Sequence, residues 1–139
     1  MSKILTFGVF DYFHLGHLRL FKQAKKHADY LIVAVMNSEY VKNIKPNSQI
    51  LYSTDEKVEM LNSIKEIDKV IVYNELNRKT LSKIDFDILA LGEDHHAERH
   101  NDAIAWCKEN NKKVVRLKRT PNICSSNIKT EVFKSFDNP

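Results

Sequence analysis

Apolar and β-branched residues gather in five short runs: Ile4 to Phe7, Tyr30 to Met36, Lys69 to Tyr73, Ile88 to Leu91 and Lys113 to Leu117. Each run has the length of a strand and is close to continuously apolar, without the alternation of a half-solvated strand. Between the runs, apolar residues fall at helical spacing: Leu20, Phe21, Ala24 and Ala28; then Val58, Leu61, Ile64 and Ile67; then Ala103, Ile104, Trp106 and Cys107. Strand and helix patterns alternate, and strands apolar on both sides belong in a parallel sheet covered on both faces by helices. The pattern predicts a doubly wound α/β sheet of about five parallel strands.

Local punctuation supports this division. Ser53, followed three residues later by Glu56, reads as a capping box that starts a helix. Ser125 and Ser126 can cap a last helix running to about Phe136. Around Lys45, Pro46, Asn47 and Ser48 the proline and its polar neighbours argue against regular structure, which makes this the one stretch expected to be mobile.

With 139 residues the chain has the size of one domain, taken here as residues 1–139. Its 42% hydrophobic and 29% charged residues are ordinary for a globular protein and too apolar for a disordered one. No apolar run approaches the roughly 20 residues that span a bilayer, and the first residues lead straight into a strand. A cytoplasmic protein without a membrane segment is expected. Cys107 and Cys124 are too far apart for a C-x-x-C pair, so idle or buried thiols are expected and no metal site. The net charge of +4 is interspersed with acids and falls short of a nucleic-acid-binding stripe, but suits a small anionic ligand.

Only three glycines occur, against an average near 7%. Gly8 follows the first strand, Gly16 opens the first helix and Gly92 follows the fourth strand. In an open α/β sheet the carboxyl edge of the strands holds the ligand crevice, where glycine lets backbone N–H groups approach a phosphate closely. The stretch Phe7-Gly8-Val9-Phe10-Asp11-Tyr12-Phe13-His14-Leu15-Gly16-His17 joins the first strand to the first helix. Its two histidines, three residues apart, would share one side of the first helical turn beside N–H groups that attract anions.

This segment resembles the G-x-F-D-x-x-H-x-G-H signature of the cytidylyltransferase branch of the nucleotidyltransferase superfamily, and Arg119-Thr120-Pro121-Asn122-Ile123-Cys124-Ser125-Ser126 resembles its second signature, R-T-x-G-I-S-T-T. The likeness covers essentially the whole chain and is greatest to the compact glycerol-3-phosphate cytidylyltransferases. It implies a single-domain, Rossmann-like fold and transfer of CMP from CTP, with Mg²⁺, to a small phosphorylated alcohol such as glycerol 3-phosphate. Family members are usually homodimers, which is the expectation here.

A phosphate monoester is already an anion near neutral pH and needs no general base, so positioning and charge stabilisation must supply the acceleration. By resemblance, His14 and His17 act on the triphosphate, with Arg119 and Lys45 completing the catalytic set. Gly8, Val9, Phe10, Asp11 and Gly16 form the substrate-binding turn. Thr120, Ser125 and Ser126 meet nucleotide phosphates from the last helix; Lys42, Lys65, Gly92 and Asp94 face a substrate. Lys42 and Lys45 are expected in a loop. The chain departs from the signatures at Val9, Asn122 and Cys124, and Lys65 stands where glycerol-3-phosphate enzymes tend to carry arginine. Asn122 can still adopt the left-handed turn that the motif glycine serves.

Other readings are an adenylyltransferase such as an FAD synthetase, because the histidine motif does not read the base, and a nucleotide-binding module without turnover. Asp94, His95, His96 and His100 also have the residue types of a manganese cluster, although a phosphoesterase would need further aspartates on strand ends. The preferred expectation puts those histidines on the rim of the site or at a subunit interface.

Overall fold

The structure is a computed structural model that describes residues 2–10, 13–44, 50–92 and 97–118. Its strands are β1 (Lys3–Gly8), β2 (Tyr30–Met36), β3 (Lys69–Tyr73), β4 (Ile88–Gly92) and β5 (Lys113–Leu117). The helices are α1 (Leu15–His27), α2 (Ser38–Ile44), α3 (Thr54–Asn62), α4 (Arg78–Ser82) and α5 (Ala97–Glu109). The five strands form one sheet in the order β3-β2-β1-β4-β5, with every neighbouring pair parallel. The α/β expectation holds, and the five apolar runs are the five strands.

Alternation along each strand divides the core in two. Ile4, Leu31, Val33, Val35, Ile88 and Ala90 point to one face and pack with Phe21 and Ala24 of α1 and Leu61 of α3. Leu5, Ile32, Ala34, Leu89 and Leu91 point to the other and pack with Leu81 of α4 and with Ala103 and Cys107 of α5. β1, β2 and β4 are buried on both faces and read as unbroken apolar runs, while the edge strands β3 and β5 are partly exposed. The chain winds outward through β2 and β3, then returns across β1 to β4 and β5. The carboxyl ends of β1 and β4, at Gly8 and Gly92, therefore flank the crevice where such sheets bind ligands.

Two helices carry no long apolar stripe and were not anticipated. The first, α2, has seven residues and α4 has five, too short for a full helical repeat to show in the sequence. Lys42, expected in a loop, lies instead in the last turn of α2, where its Nζ is 3.5 Å from Glu39. The stripe through Ile64 and Ile67 outruns α3, which ends at Asn62. Both residues still pack against the α1/α3 core from the following turn, so their burial is tertiary and not helical. On the opposite face Arg78 joins α4 to α5, bonding Asp102 at 2.7 Å and Glu109. The caps at Ser125 and Ser126 and the 45–48 loop lie outside the described residues.

The predicted capping box is present: the Glu56 N–H donates to Ser53 Oγ at 3.2 Å, and the Ser53 N–H donates to Glu56 Oε1 at 2.9 Å. Replacing Ser53 with alanine strips one of these acceptors from the start of α3, and a loss of about 1 kcal/mol is expected. Urea denaturation of Ser53→Ala checks this value; an unchanged midpoint would show that α3 is held by packing alone.

Candidate active site

The turn from β1 into α1 is built from aromatic rings and imidazoles. His14 is the N-cap of α1, with extended backbone, and its Nδ1 accepts the Gly16 N–H at 3.0 Å. Three residues on, His17 Nδ1 accepts the N–H of His14 at 3.2 Å. The pair forms a reciprocal capping box in which imidazoles do what serine and glutamate do at Ser53.

This geometry decides the tautomer. A ring nitrogen that accepts a backbone N–H carries no proton, so each neutral imidazole holds its hydrogen on Nε2. Both rings are thereby donors through Nε2 at the amino end of a 13-residue helix whose first turn contains no acid. Helix starts usually recruit Asp or Glu, so an end lined with donors and free of carboxylates suits an incoming anion.

The two imidazoles stack with centroids 3.8 Å apart. Phe10 meets His17 edge-on at 5.2 Å, and Phe13 stacks on it at 5.4 Å. Burial, and then the neighbouring His14, push the His17 imidazole down to about 3. It is a neutral hydrogen-bond donor at physiological pH, not a cation.

Phe10 is unusual in its backbone. Its φ of 54° lies in the left-handed region, where a bulky side chain costs on the order of 1–3 kcal/mol. Among the described residues the other such residue is Asn111, a type that tolerates this region and here follows α5. Only 5% of Phe10 is exposed, and its ring packs on Phe21 at 5.5 Å. The glycine before it is explained by the same ring. A Cβ on Gly8 would lie 3.1 Å from the Phe10 ring, and Gly8 itself has no positive φ. Close approach, not conformational freedom, requires glycine there.

The remaining candidates divide by position. Val9 follows β1, Gly16 lies in the first turn of α1 with its N–H committed to His14, and Gly92 ends β4. All three stand at the carboxyl edge of the sheet with His14 and His17. Lys42 is exposed on α2, which follows β2 at that same edge. Lys65 is not brought there. It is exposed in the turn leading into the amino end of β3, and in a parallel sheet that is the opposite edge. Asp11, Lys45, Asp94, Arg119, Thr120, Ser125 and Ser126 lie outside the described residues, as do His95 and His96. Among the described residues no group of three or more His, Cys, Asp or Glu could hold a metal ion, and no helix is long and apolar enough to cross a membrane.

A cavity of about 350 Å³ opens at the same edge, on the α4/α5 side of β1, β2 and β3. Val9, Met36, Tyr40 and Leu76 supply apolar wall, while Asn74, Glu75, His100 and Asp102 supply polar groups. His100 packs on Phe7 at 5.0 Å, so this histidine does reach the rim of the crevice. Burial also raises the hydroxyl of Tyr73, another wall residue, well above its usual range. Phe13 and the cavity residues Met36, Tyr40, Asn74, Glu75, Leu76 and Asp102 were missed in the sequence, whereas Val9 and His100 were among its candidates. The density of aromatic rings between Gly8 and His14 is the one signal that pointed to Phe13.

Comparison with known proteins agrees with this geometry. The profile of the cytidylyltransferase-like family matches residues 5–131. The glycerol-3-phosphate cytidylyltransferase of Staphylococcus aureus is 31% identical over 135 residues, covering 96% of each chain. An FAD synthase of Ferroglobus placidus is 32% identical over 135 residues, covering 91% of this chain and 84% of that one. Among solved structures, a lipopolysaccharide core biosynthesis protein from Thermoplasma volcanium superimposes with a TM-score of 0.75 at 25% identity, over 86% of this chain and 98% of its own.

A buried neutral His17 ties stability to pH. The unfolded chain carries this group near 6.5, so between pH 6.5 and about 3 the unfolded state binds more protons and stability falls as pH is lowered. From pH 7.5 to pH 5 the share due to His17 is about 2 kcal/mol. Urea denaturation at both pH values should show that much less acid sensitivity in His17→Gln than in the parent. Equal losses in the two proteins would mean that His17 titrates as an exposed histidine does.

Proposed function

The chain belongs to the cytidylyltransferase-like family, and from that premise we propose that it transfers CMP from CTP, taken up with its Mg²⁺, to a small phosphorylated alcohol, giving a CDP-alcohol and pyrophosphate. The observation that carries this reading is the pair of imidazoles fixed as Nε2 donors at the acid-free start of α1. An oxygen of the acceptor phosphate attacks the α-phosphorus while the bond from that phosphorus to the bridging oxygen breaks, and pyrophosphate leaves. No proton has to be removed from the nucleophile. What the reaction needs is donors where charge gathers on the α-phosphate and the leaving oxygens.

His14 and His17 supply such donors without contributing full charge. Lys45, Arg119, Thr120, Ser125 and Ser126 are assigned to the phosphates on their signature positions, and Lys42 joins them from α2. By the same resemblance Asp11 is assigned to the turn or to a ligand group, and Gly92 and Asp94 to the nucleotide or acceptor. Mg²⁺ bound with the nucleotide would neutralise charge on the triphosphate. Glycerol 3-phosphate is the favoured acceptor, as the names of two relatives at 31% identity support.

A second reading, AMP transfer from ATP to a larger phosphorylated acceptor, is supported by the FAD synthases at equal identity and by the cavity. At about 30 Å³ per water-sized group, 350 Å³ holds roughly twice the atoms of a glycerol. Its apolar walls would also be wasted on a triol.

Pyrophosphate release measured with CTP and ATP, each against glycerol 3-phosphate and riboflavin 5′-phosphate, separates the readings. CTP with glycerol 3-phosphate supports the first and ATP with the flavin the second. Release with no pair would leave a nucleotide-binding module. In the active pair, His14→Ala and His17→Ala should each cut kcat on the order of 10²-fold or more while the KM for nucleotide moves far less. Parent-like rates in both would remove the histidines from the chemistry.

A further inference from the structure

We propose that Phe10 and Phe13 are positioning residues that hold the His17 ring in its donating orientation, and that Gly8 is glycine so that the Phe10 ring can fold back over it. The inference rests on the transfer reading for its kinetic consequence and stands on geometry for the rest.

Three rings touch His17 from the turn: Phe10 edge-on at 5.2 Å, Phe13 stacked at 5.4 Å and His14 stacked at 3.8 Å. Both phenylalanines are anchored in turn on the fully buried Phe21 of α1, at 5.5 Å and 6.1 Å. One buried ring thus supports the two that support the imidazole. Edge-on and offset-stacked contacts fix a ring's angle as well as its place, which apolar contact alone does not do. The hydrogen bond from the His14 N–H to Nδ1 fixes the third coordinate, rotation within the ring plane. A preorganised donor must hold its orientation before charge develops, because turning it during the reaction forfeits the advantage over water.

The backbone shows that this arrangement is imposed. A phenylalanine at φ 54° is held there by its surroundings, not by its own preference. The positive φ sends the chain into the turn while the ring returns over Gly8, where any Cβ would meet three ring atoms within 3.3 Å. The rings also strip water from the imidazole. Among the described residues the titratable group that faces it is His14, on the same turn, and both neighbours disfavour a charged His17. The aromatic slot therefore selects one protonation state as well as one angle.

Gly8→Ala tests the ring contact cleanly, because Gly8 has a φ that alanine can adopt. Phe13→Leu keeps apolar volume in a partly buried position and removes only the stacking ring. The readouts are the ¹⁵N shifts and titration of His17 in the intact chain, and kcat with the KM for nucleotide in the active substrate pair. In both variants the titration midpoint should rise by at least one pH unit from its low parent value, and the two nitrogens should lose their fixed single-tautomer shifts. A fall in kcat of about tenfold or more should accompany this with the KM changing less than about threefold. Phe10→Leu placed on the Gly8→Ala background, which removes the clashing ring, should recover folding stability without restoring kcat.

Folded Gly8→Ala and Phe13→Leu proteins with parent-like titration and kcat would overturn the proposal. So would a kcat loss with the His17 shifts unmoved, since the rings would then act on something else. A moved titration in a chain that turns over no substrate would sustain the slot as a device that fixes the imidazole and sink the transfer reading instead.

Discussion

A helix must find acceptors for its first backbone N–H groups, and α1 meets that requirement with two imidazoles. Most helix starts use a hydroxyl or a carboxylate, which would leave an acceptor or a negative charge where the proposed function puts a phosphate. An imidazole can accept at Nδ1 and donate at Nε2 at once, so the atoms that satisfy the helix also orient the donors. The arrangement works only while the rings are neutral, because a proton on Nδ1 would set one N–H against another. Burial of His17 among Phe10, Phe13 and Phe21 is what enforces that condition.

The fold decides where this turn stands. Parallel strands put all their carboxyl ends on one edge, and the return from β3 to β4 leaves a gap between neighbouring connections beside β1. The α1 start opens there, and so does the cavity walled by Val9, Met36 and Tyr40. The two features differ in chemistry. The first turn of α1 has donors and no acid, whereas the cavity is walled by apolar residues with Asn74, Glu75, His100 and Asp102 among its polar groups. On the proposed reading the first would take the phosphates and the second an uncharged body.

The central strands were legible because burial on both faces makes each an unbroken apolar run, as in Tyr30 to Met36; the edge strand Lys69 to Tyr73 is partly exposed, and its β-branched residues gave it away. The histidine pair was legible for a related reason, since a three-residue spacing at a helix start leaves little choice of position. What could not be read depends on contacts distant in sequence. Nothing local says that α2 continues through Lys42 or that Asn77 caps a five-residue α4. Lys65 is assigned to a substrate by resemblance to a family arginine position, yet the direction of β3 puts it at the other edge. Gly8 stands out in the sequence as a candidate phosphate approach, and the structure adds a reason of its own: a Cβ there would crowd the Phe10 ring.

The two reasons for a glycine have different consequences. If Gly8 served only to let a ligand near the backbone, a larger residue would weaken binding and leave the chemistry of bound substrate alone. If it serves the ring that we propose supports His17, the same change acts on the orientation of a donor. A binding loss falls in KM and an orientation loss falls in kcat. On the proposed reading, the residues that govern rate extend inward from the histidines to Phe10 and Phe13 and end on Phe21, a core residue with no exposure at all. The packing of α1 on the sheet and the aim of its first-turn donors would then share these atoms and could not be altered independently.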